Sequence, residues 1–210
     1  SGDGDTTCHI RGDIQAYGPG RGLNKTGSAT VRLSGVNRLG GAVNIHDGVL
    51  ELAGGILDTT GLSMASGQQF LFSGGRLETP QVNGNLSNPG GTLAVQATLI
   101  SGDYTQLPGG RMEVEIDTHR FDHLEITGQL SLDGTLDLVL LNGQQPGAGQ
   151  RYPVIQAGAL AGTFAATNLP SLGTNLSWVV DYTDHGVELR VASPGDRDGD
   201  GLDDAWEQAY

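Results

Sequence analysis

Residues 29–55 read ATVRLSGVNRLGGAVNIHDGVLELAGG, a series of short apolar–polar alternations separated by glycine. The alternation has the period of a β-strand that buries one face. Glycine suits the corners between such runs because it adopts a left-handed backbone conformation without strain. This stretch therefore predicts short strands joined by tight turns.

The same pattern continues through most of the chain, at residues 61–64, 69–75, 90–95 and 109–116. No helical period of apolar residues precedes the final tail, and strands without helices leave a sandwich or a solenoid. The predicted strands have about four or five residues, shorter than the typical strand of about 5–6 residues. Short strands with frequent turns favour a solenoid, a chain that coils through parallel strands.

The composition supports an ordered protein rich in turns. The chain has 35 Gly among 210 residues and 5% aromatic residues. The glycines follow no strict G-X-Y period, which excludes collagen. The Leu, Val and Ile runs exclude a disordered polymer and fit a buried, pleated surface.

The charge excludes one large class of partners. With 24 acidic and 11 basic residues the net charge is −13, and Lys25 is the single lysine. Nucleic acids and anionic membrane surfaces need Lys and Arg, so neither is an expected partner. No apolar stretch approaches the roughly 18 residues of a membrane span. Polycations, divalent cations and neutral sugars remain as possible ligands.

Two stretches resemble bacterial surface proteins. Residues 25–37 (KTGSATVRLSGVN), with GGAVNI and GVLEL up to residue 52, resemble the autotransporter-associated β-strand repeat, K-T-G-x-G-T-L-x-L-S-G-x-N. Ala29 stands where that family usually has Gly. Residues 102–138 and 146–191 are similar to the C-terminal part of such proteins. The resemblance implies a right-handed parallel β-helix with a β-rich end segment, located on or outside a bacterial cell.

These patterns predict four regions. They are an N-terminal extension (1–22), a parallel β-helix (23–116), a β-rich end segment (117–192) and a calcium-binding loop with its tail (193–210). The end segment has longer predicted strands, and we expect it to cap the last open edge of the solenoid.

The strongest ligand motif is residues 196–207, DRDGDGLDDAWE. Calcium takes about six to eight oxygen ligands, and an EF-hand-like loop supplies them from positions 1, 3, 5, 7, 9 and 12, with Gly at position 6. The predicted ligands are Asp196, Asp198, Asp200, the Leu202 carbonyl, Asp204 and Glu207. The loop resembles those of dockerins and thrombospondin type 3 repeats; the alternative is a disordered acidic tail.

Two further groups are weighed as sites. Cys8-His9 lacks the first cysteine of a haem-attachment motif, so an unpaired thiol or an intermolecular disulfide is the expected state. Asp117, His119, Asp122 and His123 could ligate zinc, but only two nitrogens and no cysteine are present. For Asp122 a turn into the following strand is the favoured role.

The sequence shows no catalytic constellation. Glu113 and Glu115 share one face of a strand, as a glycosidase pair could, but they alternate with Met112, Val114 and Ile116 like an ordinary solvated face. No G-x-S-x-G and no P-loop is present. We therefore predict that the chain is not an enzyme.

The leading hypothesis is an extracellular structural or adhesive protein that self-associates, with cell-surface glycans as further partners. The first alternative is a polysaccharide-active enzyme, because parallel β-helices also host such chemistry, although a single lysine fits it poorly. The second is a calcium-dependent carbohydrate-binding module, which would need an aromatic stripe that two C-terminal tryptophans do not provide.

Overall fold

A computed structural model describes residues 7–117, 119–193 and 195. These residues form 21 strands and no helix. The strands build a parallel β-solenoid of about seven turns, so the predicted all-β, parallel β-helix class is confirmed. Within the described ranges no helix is long and apolar enough to cross a membrane.

Strand segments at equivalent positions in successive coils form four stacks. The first stack contains β1 (Thr7–Ile10), β4 (Thr30–Leu33) and the first halves of β7 (Val49–Asp58) and β9 (Gln69–Glu78). The second contains β2 (Ile14–Ala16), β5 (Val36–Leu39), the second halves of β7 and β9, β12 (Thr92–Ala94), β15 (Arg111–Ile116), β17 (Thr135–Leu140) and β19 (Ala166–Asn168).

The other two stacks complete the coils. The third contains β3 (Leu23–Lys25), β6 (Val43–Ile45), β8 (Leu62–Met64), β10 (Gln81–Asn83), β13 (Ala97–Ser101) and the first halves of β16 (His123–Leu132) and β18 (Arg151–Gly162). The fourth contains β11 (Leu86–Asn88), β14 (Tyr104–Gln106) and the second halves of β16 and β18.

The core consists of columns of side chains in register from coil to coil. The second stack shows one most clearly, because five successive inward positions are fully buried. They are Leu57, Leu77, Leu93, Met112 and Leu136. Each coil thus buries apolar side chains against the coil above and the coil below, since no coil could bury them alone.

Buried polar side chains satisfy the backbone where the coil turns. Thr59, Thr79 and Thr98 are 0–2% exposed. Thr59 donates its hydroxyl to the Gly41 carbonyl at 2.8 Å, and Thr98 donates to the Thr79 carbonyl at 3.0 Å. A buried carbonyl without a partner is costly, so these hydroxyls stabilise the corner between the second and third stacks.

The fourth coil changes which stacks are used. The first three coils use the first, second and third stacks, whereas the fifth to seventh use the second, third and fourth. In the third coil, a bend at Gly55 (φ 65°) joins the segment in the first stack to the segment in the second stack. In the fourth coil, a bend at Gly84 (φ 121°) joins the segment in the third stack to the segment in the fourth stack. Of the coils that the structure describes, only the fourth has segments in all four stacks.

Among the described residues, this change leaves two strand edges inside the solenoid without a ladder partner. Residues 69–72 of β9 pair with β7 alone, whereas residues 76–78 pair with both β7 and β12. Strand β11 pairs with β14 alone. We call the space between these two edges the notch. It closes where Gly91 lies against the Phe72 ring.

Two antiparallel strands follow the last coil. β21 (Gly186–Ala192) pairs antiparallel with β18, and β20 (Ser177–Thr183) pairs antiparallel with β21. Tyr152 packs between Phe121 and Trp178, with ring centroids 5.6 and 6.0 Å away. The longer strands predicted for the end segment include β17 and β20, which have six and seven residues.

The parallel pairing extends from β1 to β19, on both sides of residues 23–116. The coils after residue 117 remain in the second, third and fourth stacks, with longer strands and connections. The four regions expected from the sequence stay predictions about domain boundaries.

The closure of the notch gives the first testable prediction. A Cβ at position 91 would lie 2.0 Å from the Phe72 ring, so Gly91→Ala must displace a buried ring. We expect a loss of about 1–3 kcal/mol in the free energy of unfolding, measured by urea denaturation. Gly12→Ala is the control, because nothing lies within 4 Å of its Cβ position. Equal stability of the two variants would contradict the packing described.

Candidate functional site

The outer face of the second stack carries a ladder of charged side chains. Arg76 donates from Nε to Glu78 Oε1 and from Nη2 to Glu113 Oε1, both at 2.6 Å. Glu78, Ala94 and Glu113 occupy successive positions of one column. The small Ala94 side chain leaves room for the guanidinium to span two coils.

A second arginine repeats the arrangement further along. Arg111 donates from Nε and Nη2 to the two carboxylate oxygens of Asp137, at 2.8 and 2.7 Å. Asn168 donates to the same carboxylate at 2.6 Å. A bidentate arginine–carboxylate pair is among the stronger ion pairs, and here it ties β15 to β17.

Asp58 precedes Glu78 in the column. Burial, followed by the nearby Glu78 charge, raises the pKa of Asp58, and Arg38 opposes the shift. A glycosidase needs one protonated carboxyl and one free carboxylate across the sugar. In this ladder Glu78, Glu113 and Asp137 are each bonded to an arginine, an arrangement that stabilises the coil contacts.

The ladder was only partly foreseeable. Glu113 and Glu115 do share the outer face of β15, and both are half-buried. The sequence analysis missed the role of Arg76. Its bond to Glu113 joins β9 to β15 across β12, and the sequence alone does not show which strands are neighbours in the stack. The spacing of Arg76 and Glu78, two residues apart on one strand face, was the signal that could have found the first ion pair.

The group around residue 122 forms a turn. Asp122 Oδ2 accepts the Glu115 backbone N–H at 2.8 Å, and the Asp122 N–H is donated to the Glu115 carbonyl at 2.8 Å. The turn role predicted for Asp122 is confirmed. His123 Nδ1 lies 3.2 Å from the Pro153 carbonyl oxygen, and Asp117 accepts from Asn142 at 3.1 Å. His119 is exposed.

No group of three or more His, Cys, Asp or Glu side chains is placed to hold a metal ion in the parts of the chain the structure describes. The predicted calcium ligands lie outside those parts. They are Asp196, Asp198, Asp200, Leu202, Asp204 and Glu207.

Cys8 is a free, exposed thiol in β1, beside Val31 in the ladder. The neighbouring His9 places Nε2 3.1 Å from the Ser34 hydroxyl oxygen. His9 thus joins the first coil to the second, through its ladder partner Arg32 and through Ser34.

Lys25 is 4% exposed. Its ammonium donates to the carbonyls of Thr26 at 3.2 Å, Gly27 at 2.5 Å and Asp47 at 2.9 Å. Three carbonyl acceptors stabilise a buried ammonium. The single lysine of the chain therefore joins the turns of two coils.

Comparisons with known proteins give no family. No protein-family model matches the chain, and no curated protein matches it.

The second testable prediction concerns Asp122. Burial is the main cause that raises the pKa of Asp122 from 3.8 to about 6; the charges of Glu115 and Glu113 add to the shift, while the Glu115 N–H bond and the charge of Arg120 oppose it. The folded state thus prefers the protonated carboxyl. The protonated Asp122 carboxyl therefore stabilises the folded state. This stabilisation is fully present below pH 3.8 and is lost as the pH rises through about 6.

We expect Asp122→Asn to remove this decline, because the amide oxygen still accepts the Glu115 N–H and carries no charge to bury. The measurement is the free energy of unfolding from pH 4 to pH 7. Asp103→Asn is the matched control, since that carboxylate also accepts a backbone N–H, from Gln129 at 2.8 Å. An Asp122→Asn variant with the wild-type pH profile would disprove the assignment.

Proposed function

We propose that this chain is an extracellular structural or adhesive module that self-associates end to end, with calcium stabilising its C-terminal end. The observation that carries the proposal is the polarity of its outermost strands. β20 is antiparallel to β21, and β21 is antiparallel to β18. β20 therefore runs in the same direction as β18 and every earlier strand of the third stack.

Both ends of the described solenoid have edges open to a further strand. At the N-terminal end, β2 and β3 pair on one side only, with β5 and β6. At the other end, β19 pairs only with β17, and all three of its residues are exposed. An edge of this kind is a template for pairing with another chain.

A head-to-tail contact would continue the parallel ladder. In the third stack, β20 of one copy can pair with β3 of the next copy in parallel, and β19 and β2 have the same relation in the second stack. β20 extends one strand further than β19, so the third stack would make contact first. Heterologous contacts that do not close generate fibres.

The calcium loop belongs to this proposal. The chain leaves the described part just after β21, whose last residue, Ala192, pairs with Ser177 of β20. The sequence motif at 196–207 thus follows β21, the strand that pairs with the outermost strand β20. The six oxygen ligands of the motif would hold calcium there, and a bound ion would order the segment next to the joint.

The third testable prediction uses the N-terminal edge. The Leu23 N–H bonds to the Ala42 carbonyl, and the Lys25 carbonyl accepts from His46, so the Asn24 N–H between them faces outward. Asn24→Pro removes this outward donor and leaves the backbone hydrogen bonds between the first two coils intact. It also loses the side-chain bond that Asn44 Nδ2 donates to Asn24 Oδ1 at 3.1 Å. Asn24→Ala is the matched control, because it removes the side chain and keeps the N–H.

We expect the wild-type chain and Asn24→Ala to form rods that lengthen in calcium and shorten in chelator. Asn24→Pro should remain monomeric under both conditions. Light scattering gives the particle mass, and negative-stain imaging gives the shape. Monodisperse wild-type particles at every calcium and protein concentration would refute end-to-end assembly.

A further inference from the structure

The notch between β9 and β11 is a concave space of about 480 Å³ on the side of the solenoid. It lies away from both ends, at the coil where the stacks change. The turn 65–68 and residues 69–71 form one side, and Gly84, Asn85 and Ser87 form the other. The volume is within the range of small-ligand pockets, about 300–1,000 Å³.

The polar side chains that line the notch are all amides or hydroxyls. They are Ser66, Gln68, Gln69, Asn85 and Ser87. The other lining residues in the described part of the chain are apolar or glycine, and none of those described has an ionisable side chain. This neutral lining contrasts with the net charge of −13 of the whole chain, and it offers neither a cation nor an anion a charged partner.

One polar group is already held in place. Asn85 Oδ1 accepts the Asp103 backbone N–H at 2.9 Å, which fixes the side chain without using its NH₂ group. Leu71, which is 43% exposed, adds an apolar contact surface at the same place. A pre-positioned amide beside an apolar side chain suits a ligand that presents hydroxyl groups and C–H surface together.

We propose that the notch binds a short stretch of neutral oligosaccharide. Sugar hydroxyls both donate and accept, as the Gln and Asn amides do, while the C–H face of a ring packs on Leu71. The proposal deepens the adhesive role and rests on the proposed function for its setting. An added peptide strand is a poorer occupant, because the notch closes at Phe72 and Gly91 and its longer edge has only residues 69–72.

The notch has no exposed aromatic ring among its lining residues, so each site should bind weakly. End-to-end assembly would repeat the site along a fibre, and a repeated weak site gains avidity without a new contact. End-to-end assembly would strengthen sugar binding through avidity, but sugar binding does not require assembly, because a single chain carries a complete notch. Either proposal can therefore be wrong while the other is right.

Saturation-transfer difference NMR tests the site, since it reports binding to monomers and to large assemblies. The neutral probes are cellotetraose, maltotetraose, xylotetraose and mannotetraose, and tetragalacturonate is the acidic probe. We expect a signal from at least one neutral probe and none from the acidic probe. Ser87→Arg should weaken the neutral signal at least ten-fold, because the side chain fills the notch.

Ser131→Arg is the matched control. Ser131 lies in the same column of the fourth stack as Ser87, because Thr105 pairs with both of them. Ser131 does not line the notch. It adds the same charge and should bind like the wild type. Binding that survives Ser87→Arg, equal binding of the acidic probe, or no signal from any neutral probe would overturn the proposal. A Ser87→Arg-sensitive signal from an extended Thr-Val hexapeptide would replace the sugar with a peptide strand.

Discussion

The structure depends on the register of the parallel ladder between coils. Each coil must return its inward side chains to the same columns, because a shift of one residue would turn every apolar side chain to the solvent. The column from Leu57 to Leu136 meets this requirement through coils of different lengths. Glycine corners and buried threonines absorb the differences, so the ladder and the core are satisfied together.

The same constraint explains the surface features. Outward side chains also fall into columns, which is why Arg76 reaches a carboxylate two strands away across Ala94. The change of stacks in the fourth coil keeps the second and third ladders continuous at the cost of two unpaired edges. The open ends and the notch are therefore both places where the parallel ladder stops. End-to-end assembly is proposed for the open ends, and ligand binding is proposed for the notch.

The sequence predicted the local parts of this fold well. Alternation and glycine spacing predicted the short strands, the absence of helical periods left a sandwich or a solenoid, and the short strands with frequent turns favoured parallel coils. It could not show which segments stack, because that depends on contacts between residues far apart in the chain, such as Arg76 and Glu113, which are 37 positions apart. The burial of Lys25, the Arg76 bridge and the notch all follow from such contacts. The turn at Asp122 was predictable because its partner, Glu115, is close in the chain.

Backbone hydrogen exchange reports which amides the ladder protects. It therefore tests whether the ladder inside the solenoid is continuous except at the notch. We predict that the amides of residues 69–72 and 86–88 that face the notch exchange much faster than their ladder equivalents in residues 49–52 and 104–106. Equal protection of the two sets would contradict the change of stacks in the fourth coil.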